Sequence, residues 1–98
     1  MAFEVEWTEN ALEDLKGIFR YLEKQWNTDV SNGFLDKCFS NIDLISNFPK
    51  SGIQSEKHKG IRKITVTKHI SLFYKTEGNV VILLNFFDTR QDPEKSYF

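Results

Sequence analysis

The segment VVILLNFF, residues 80–87, constrains the fold more than any other part of this 98-residue chain. In an extended conformation, successive side chains point to opposite faces. Seven of these eight residues are apolar, so both faces of such a strand need cover. The segment therefore predicts an interior strand of a sheet. One covering layer can come from the chain itself, and a partner chain is a candidate for the other.

The region before this strand predicts one short strand and two helices. Alternation of apolar residues with glutamates over residues 3–7 has the period of a strand with one buried face. Thr8 can cap a helix that runs to about Trp26, Asn27 can close it, and Thr28 or Asp29 can open the next. Such a short connection forces an antiparallel helical hairpin. The expected buried stripes are Ala11, Leu12, Leu15, Ile18, Phe19, Leu22 and Trp26, then Val30, Phe34, Leu35, Cys38, Ile42, Ile45 and Phe48.

The second half of the chain predicts a loop and three strands. Pro49 ends the second helix, and the polar residues 49–60 are expected to form a surface loop. Short connections at residues 67–69 and 77–79 then separate three strands of an antiparallel meander. The predicted fold class is therefore α+β, with the order βααβββ and the helical hairpin packed on a small antiparallel sheet. The length suits a single domain, residues 1–98.

Composition gives expectations about compartment and cofactors. No stretch approaches the roughly 18–20 apolar residues of a membrane span, and the start of the chain lacks a signal-peptide pattern, so we expect a cytoplasmic protein. Cys38 is the only cysteine, and its apolar neighbours favour a buried structural thiol. Because His58 and His69 have no ligands at metal-binding spacing, we expect neither a metal nor a cofactor.

Charge is distributed unevenly along the chain. Residues 1–50 carry nine acidic against five basic side chains, whereas residues 51–98 carry eight basic against five acidic. The segment KHKGIRKITVTKH, residues 57–69, can attract anions, although a solvated loop and a lysine-protected edge strand would have the same composition. The candidate binding residues here are Arg62, Lys63, Lys68 and His69. Adjacent strand residues point to opposite faces, so Arg62 and Lys63 cannot both meet one ligand, and the sequence leaves open which does.

Arg90 stands at the end of the last predicted strand, between Asp88 and Asp92. One interpretation is a surface ion pair, which contributes about 0–1 kcal/mol. The other is a binding residue whose planar guanidinium recognises nucleic acid or an acidic partner in a geometry that lysine cannot copy. Both remain open at this stage.

Four segments in order resemble the RelE/ParE superfamily of bacterial toxins. They are WTENALEDLKGIFRYLEKQW (7–26), FPKSG (48–52), GIRKITVTKHISLFYK (60–75) and RQDP (90–93). The resemblance implies a compact toxin of a type II toxin–antitoxin system that acts in plasmid stabilisation. It also implies a cognate antitoxin whose tail wraps over the sheet and helices, so that the two proteins form a hetero-oligomer.

The superfamily contains messenger RNA nucleases and inhibitors of DNA gyrase, and the resemblance favours the second branch. The nucleases place basic side chains in the strand that matches residues 62–66, before the LFY triplet and at the end of the last strand. At two of these positions this chain has Thr65 and Ser71. Cleavage of a phosphodiester without a metal needs several cations and a proton carrier. The RQDP ending also looks like the ParE branch.

The resemblance thus implies a ParE-like protein that inhibits DNA gyrase by binding, and not an enzyme. The first alternative is a RelE-like endoribonuclease that acts on messenger RNA at the ribosome. The second is a toxin fold that has lost activity and serves as a binding module. If the chain is a ribonuclease, the expected catalytic residues are Lys63, Lys68, Arg90 and Tyr97.

Overall fold

The computed structural model describes residues 2–89. Two helices and five strands are present in this part of the chain, with one turn of 3-10 helix between α2 and β2. Neither helix is long and apolar enough to cross a membrane. The bounds are β1 Glu4–Trp7, α1 Glu9–Gln25, α2 Thr28–Asn47, the 3-10 turn Pro49–Ser51, β2 Ile53–Gln54, β3 Ile61–Thr65, β4 Ile70–Glu77 and β5 Val80–Asp88.

The sheet has the order β1-β5-β4-β3-β2. The predicted meander of β3, β4 and β5 is confirmed as antiparallel, and β5 lies in the interior of the sheet between β1 and β4. The α+β fold class is likewise confirmed. The sheet is mixed, however, because β1 pairs with β5 in parallel, from Glu4 opposite Val80 to Trp7 opposite Leu83. Two helices between β1 and the meander give the crossover that a parallel pair requires.

The predicted loop 49–60 contains an additional short strand. Ile53 and Gln54 pair with Lys63 and Arg62, so β2 forms the edge of the sheet beyond β3. The expectation of a loop without regular structure was therefore wrong. Polar composition concealed the strand, because an edge strand of two residues needs no buried face.

Both helices pack on one face of the sheet and enclose the core. The confirmed inward positions include Ala11 on α1, Cys38 and Ile45 on α2, and Leu72 and Leu83 on the sheet, all fully buried.

Two predicted core residues are instead exposed, Trp26 at 69% and Phe48 at 66%. Each is the C-cap residue of its helix, where the backbone leaves the helical conformation and turns the side chain off the stripe. Leu12 and Val30, both expected in the stripes, are also exposed.

Thr8 and Asn27 cap the two helices. Thr8 accepts a hydrogen bond from the Ala11 amide at 3.1 Å, as predicted. Asn27 was expected to close α1, but its side chain accepts from the Val30 amide at 2.9 Å and therefore opens α2. Asparagine is among the strongest N-cap residues, because its side-chain oxygen satisfies an amide that has no partner in the helix.

Strand β5 contains a bulge that α1 holds in place. Pairing with β4 passes from Leu83 opposite Tyr74 to Asn85 opposite Phe73, which leaves Leu84 as the extra residue. The Thr8 hydroxyl donates to the carbonyl groups of Leu83 and Leu84 at 2.7 and 2.9 Å. Just beyond the bulge, the amide of Phe86 donates to Asp14 Oδ2 at 3.1 Å. Side chains of α1 thus satisfy backbone groups at the irregular part of the strand.

Replacing Asp14 with alanine is expected to lower the free energy of unfolding by about 1–3 kcal/mol, because the Phe86 amide then loses its acceptor. Asp14→Asn keeps an acceptor oxygen on a side chain of the same size, so its loss should be smaller. Urea denaturation followed by circular dichroism measures both. Equal losses for the two variants would show that the negative charge, and not the hydrogen bond, stabilises the bulge.

Candidate functional site

The structure decides which faces of the sheet Arg62 and Lys63 occupy. Arg62 is opposite Tyr74, on the face that the helices cover, whereas Lys63 is opposite Phe73 on the other face. We refer to this other side of the sheet as the second face. The residues placed on it by strand register are Ile61, Lys63, Thr65, Ser71, Phe73, Lys75, Ile82, Asn85 and Phe87.

The second face has hydroxyl groups and aromatic rings where the nuclease branch was expected to have cations. Thr65 and Ser71 are cross-strand partners, and Ser71 is in turn opposite Phe87. The rings of Phe73 and Phe87 lie 5.9 Å apart between centroids, and both side chains are buried. At this part of the sheet the residues are therefore neutral, and of the four only Thr65 is exposed.

Lys68 and His69 lie in the connection between β3 and β4, at one end of the sheet. The amide of Thr89 donates to the His69 carbonyl at 2.7 Å and joins this connection to the end of β5. Lys63 lies near the middle of β3, and the strand alone covers about 7 Å from Lys63 to Thr65 before the connection begins. The structure therefore does not bring Lys63 together with Lys68 and His69. Arg90 and Tyr97 lie outside the described residues.

Arg62 has a structural contact in addition to its predicted binding role. Its Nη1 donates to the carbonyl of Gly52 at 2.7 Å and approaches that of Lys50 at 3.4 Å. Tyr74 supports the same loop, since its hydroxyl donates to the Pro49 carbonyl at 2.8 Å and accepts from the Gly52 amide at 2.9 Å. Burial raises the pKa of Tyr74 above its ordinary value, so the hydroxyl stays protonated and able to donate. These contacts fix the loop that follows α2 against the sheet.

A surface groove runs between the helical hairpin and the end of the sheet. It consists of two adjoining cavities of about 600 and 530 Å³ that share Tyr21, Leu22 and Ile70. Glu13, Asp14 and Asp88 make one end acidic, whereas the other end contains the basic residues Lys37, Lys68 and His69 together with Asp29. Exposed Tyr21 and Trp26 contribute apolar surface along its length. A groove of this shape and polarity can hold a peptide segment.

The described part of the chain contains neither a reactive thiol nor a metal-binding cluster of side chains. The prediction of a buried Cys38 is confirmed, and burial raises the pKa of its thiol to about 12. A thiol that stays protonated near neutral pH is a poor nucleophile. Among residues 2–89, no group of three or more His, Cys, Asp or Glu side chains is arranged to hold a metal ion.

Sequence reasoning missed the loop after α2 as a functional candidate. Phe48 was assigned to the core, and Ile53 to a featureless loop, yet both side chains are 66% exposed. One available signal was Gly52 in the FPKSG segment, because glycine in a loop often marks a close approach of two backbones. A Cβ at Gly52 would lie only 2.5 Å from the Tyr74 hydroxyl.

The structure is thus a small α+β protein, in which a helical hairpin covers one face of a five-stranded mixed sheet and a groove with charged ends lies at the surface. The sequence profile of the family described as ParE toxin of the type II toxin–antitoxin system, parDE, matches residues 5–93. The chain belongs to this family and is a toxin of the type II toxin–antitoxin class. No curated protein matches the sequence significantly.

Solved toxin structures share the fold at low sequence identity. The chromosomal ParDE system from P. aeruginosa superposes with a TM-score of 0.76 at 14% identity, covering 91% of this chain and 98% of that one. The RelBE2 toxin–antitoxin complex from Mycobacterium tuberculosis has a TM-score of 0.61 at 15% identity, covering 90% of this chain and 99% of that one. The DinJ–YafQ complex from E. coli has a TM-score of 0.60 at 16% identity, covering 90% of this chain and 93% of that one. The resemblance to the RelE/ParE superfamily is thus confirmed.

Proposed function

We propose that this toxin inhibits DNA gyrase by binding to it, and that it cleaves no RNA. The observation that carries the proposal is the composition of the second face, where Thr65 and Ser71 pair beside Phe73 and Phe87. This is the part of the sheet where the superfamily resemblance leads one to expect the cations of a nuclease. The proposal places the protein in the cytoplasm, in a plasmid-stabilising system.

The physical reason is the charge that phosphodiester cleavage develops on the phosphate. Without a metal ion, cations placed at that charge must stabilise it, and removal of one such donor typically costs about 10²–10³-fold in rate. Hydroxyl groups and phenyl rings cannot replace two cations. Lys63 shares the second face with these groups, but Lys68 and His69 lie in the connection at the sheet end. The arrangement thus argues against catalysis on RNA.

We further propose that the groove between the hairpin and the sheet binds the antitoxin. The solved structures similar to this chain include a ParDE system and the RelBE2 and DinJ–YafQ toxin–antitoxin complexes, which supports a protein partner of this kind. Exposed Tyr21 and Trp26 give the groove apolar surface, and its charge changes sign from the Glu13 end to the Lys68 end. An amphipathic segment with basic and acidic ends complements it.

Induced expression in bacteria is expected to stop DNA synthesis within minutes while protein synthesis continues. Pulse labels of thymidine and methionine follow the two processes, and purified toxin should block supercoiling of relaxed plasmid by gyrase. The double variant Lys63→Ala/Lys68→Ala serves as the matched control, because the gyrase interpretation predicts that it inhibits like the unmodified toxin.

The alternatives predict different results in the same experiment. One contrary result has three parts: protein synthesis fails first, messenger RNA is cleaved, and the double variant is harmless. That result would show that the ribonuclease interpretation is right and the proposal is wrong. If neither DNA synthesis nor protein synthesis changes when the folded protein is expressed, the chain is a binding module without toxicity. Intact messenger RNA during growth arrest would support the proposal.

A further inference from the structure

Part of the second face is buried, although both helices pack on the other side of the sheet. Phe73 is 0% exposed and Phe87 8%, yet neither belongs to the core cluster under the helices. Ser71, which lies beside them, is 5% exposed, and the side-chain oxygen of Asn85 on the same face is shielded from solvent. These groups are buried within a single copy of the chain. The chain itself therefore supplies a cover for this part of the face.

The interior position of these residues in the sheet does not explain their burial. Ile82 has a neighbouring strand on each side, since it pairs with Glu6 of β1 and with Lys75 of β4. Its side chain is on the second face and is still partly exposed. The buried residues lie at the other end of β4, where Ser71 is opposite Phe87 and β5 ends one residue later. The cover is thus local, and it lies where the chain leaves the sheet.

None of the connections within residues 2–89 accounts for this cover. Val66, which follows β3, belongs to the core cluster under the helices, and Lys68 and His69 line the groove on that side. Phe3, which precedes β1, packs against the same cluster, and the turn after α2 is bonded to Tyr74, also on that side. The loop before β3 and the turn between β4 and β5 both lie at the far end of the sheet. The segment that follows β5 is the part of the chain that remains.

We infer that segment 90–98, RQDPEKSYF, folds back over the second face and covers Phe73 and Phe87 with its own aromatic side chains. These are Tyr97 and Phe98. The segment begins beside the buried end of the face, because the amide of Thr89 donates to the His69 carbonyl just before β4. Aromatic rings attract one another at centroid distances of about 4.5–7 Å, so the Phe73–Phe87 pair offers a favourable surface to a further ring.

The length and composition of segment 90–98 fit this path. An Asp–Pro pair favours a turn, and Asp92–Pro93 follows closely on the end of β5. The five residues after this turn span at most about 18 Å when extended. Phe73 lies two positions beyond Ser71 along β4, a distance of about 7 Å, so the segment can reach it. Adjacent side chains of an extended segment point to opposite sides, so one of the two aromatic residues faces the sheet in either register.

The inference goes beyond the proposed function. A partner chain was a candidate for the second cover of β5, but at this end of the strand the chain supplies the cover itself. While segment 90–98 is in place, neither RNA nor a protein partner can contact Phe73 and Phe87. The tests below use no gyrase, so a failure of the proposed function would leave the inference standing.

Protection of an introduced thiol tests this cover in the full chain. Ser71→Cys places a thiol under segment 90–98, and Thr65→Cys places one at the exposed cross-strand position on the same face. Cys38 is buried under the helices, so its reaction with an aromatic disulfide reagent reports unfolding of the whole protein. Each thiol is measured in three backgrounds, which are the unmodified sequence, Tyr97→Ser/Phe98→Ser, and the control Gln91→Ser/Lys95→Ser in the same segment.

In the unmodified background, the thiol of Ser71→Cys is expected to react at least about tenfold more slowly than that of Thr65→Cys, because its reaction requires local opening. Tyr97→Ser/Phe98→Ser should remove most of this difference while Cys38 stays slow, and Gln91→Ser/Lys95→Ser should preserve it. Equal rates for the two introduced thiols in the unmodified background would overturn the inference. So would protection that survives the loss of both aromatic side chains.

A second measurement needs no substitution and applies even if the aromatic double variant unfolds. In the unmodified chain, nuclear Overhauser effects are expected between the ring protons of Phe73 or Phe87 and those of Tyr97 or Phe98. Contacts of the two buried phenylalanines with residues 2–89 alone would show that another part of the chain covers the second face, and the inference would be wrong.

Discussion

Phe86→Ala is expected to lower the free energy of unfolding by about 3–5 kcal/mol, the range for loss of a large buried side chain. Phe86 is 4% exposed, and its ring centroid lies 6.1 Å from that of Trp7 and 6.4 Å from that of Phe34. The side chain thus joins β5 to β1 and α2. Small domains are typically stable by about 5–15 kcal/mol, so this one change should remove much of the folding free energy. Chemical denaturation measures it directly.

Phe48→Ala is the matched control, because it removes the same side chain from a position that is 66% exposed. Its expected effect on stability is within about 0.5 kcal/mol. A loss near that of Phe86→Ala would show that Phe48 is packed in solution. The pair therefore tests both the packing of Phe86 in the core and the exposure of Phe48.

These two phenylalanines also show what sequence periodicity can and cannot predict. The apolar stripes correctly identified both helices and the inward positions of Ala11, Cys38 and Ile45. They wrongly included Trp26 and Phe48, which continue the spacing by one further step. Periodicity assumes that the helix continues, whereas both residues are C-caps with non-helical backbone. The end of a helix depends on local capping and on contacts that the stripe does not contain.

Strand pairings were predictable only where the connection is short. The meander of β3, β4 and β5 follows from two tight connections, and the structure confirms it. The parallel pairing of β1 with β5 joins residues about 76 positions apart, such as Glu4 and Val80. The alternation in β1 indicates that one face of the strand is buried, but it does not identify the strand with which β1 pairs. The two-residue strand β2 has no periodicity to detect.

For the candidate site, the sequence predicted a relation between residues but not their placement. Strand geometry alone required Arg62 and Lys63 to occupy opposite faces. The pairing of Arg62 with Tyr74 places Arg62 on the face that the helices cover, where it contacts the loop after α2. The sequence alone does not tell which of the two residues lies on the covered face, because that depends on where the helices pack.

The loop that follows α2 depends on Gly52, and Gly52→Ala is expected to destabilise the protein by about 2–6 kcal/mol. A Cβ at this position would lie 2.5 Å from the Tyr74 hydroxyl and 2.8 Å from the Lys63 carbonyl. The backbone of β3 cannot easily move away, and a shift of Tyr74 would break its bonds to Pro49 and Gly52. Overpacking and unsatisfied buried groups each cost about 1–3 kcal/mol, which gives the expected sum.

Gly17→Ala is the matched control for this substitution. Gly17 is exposed in the middle of α1, and beyond its chain neighbours and the adjacent helix backbone no atom lies within 4 Å of an added Cβ, so alanine there should stabilise the helix by about 0.5–1 kcal/mol. Thermal and urea denaturation of both variants should therefore give changes of opposite sign. A Gly52→Ala protein as stable as the unmodified toxin would show that the loop is not held as the structure describes.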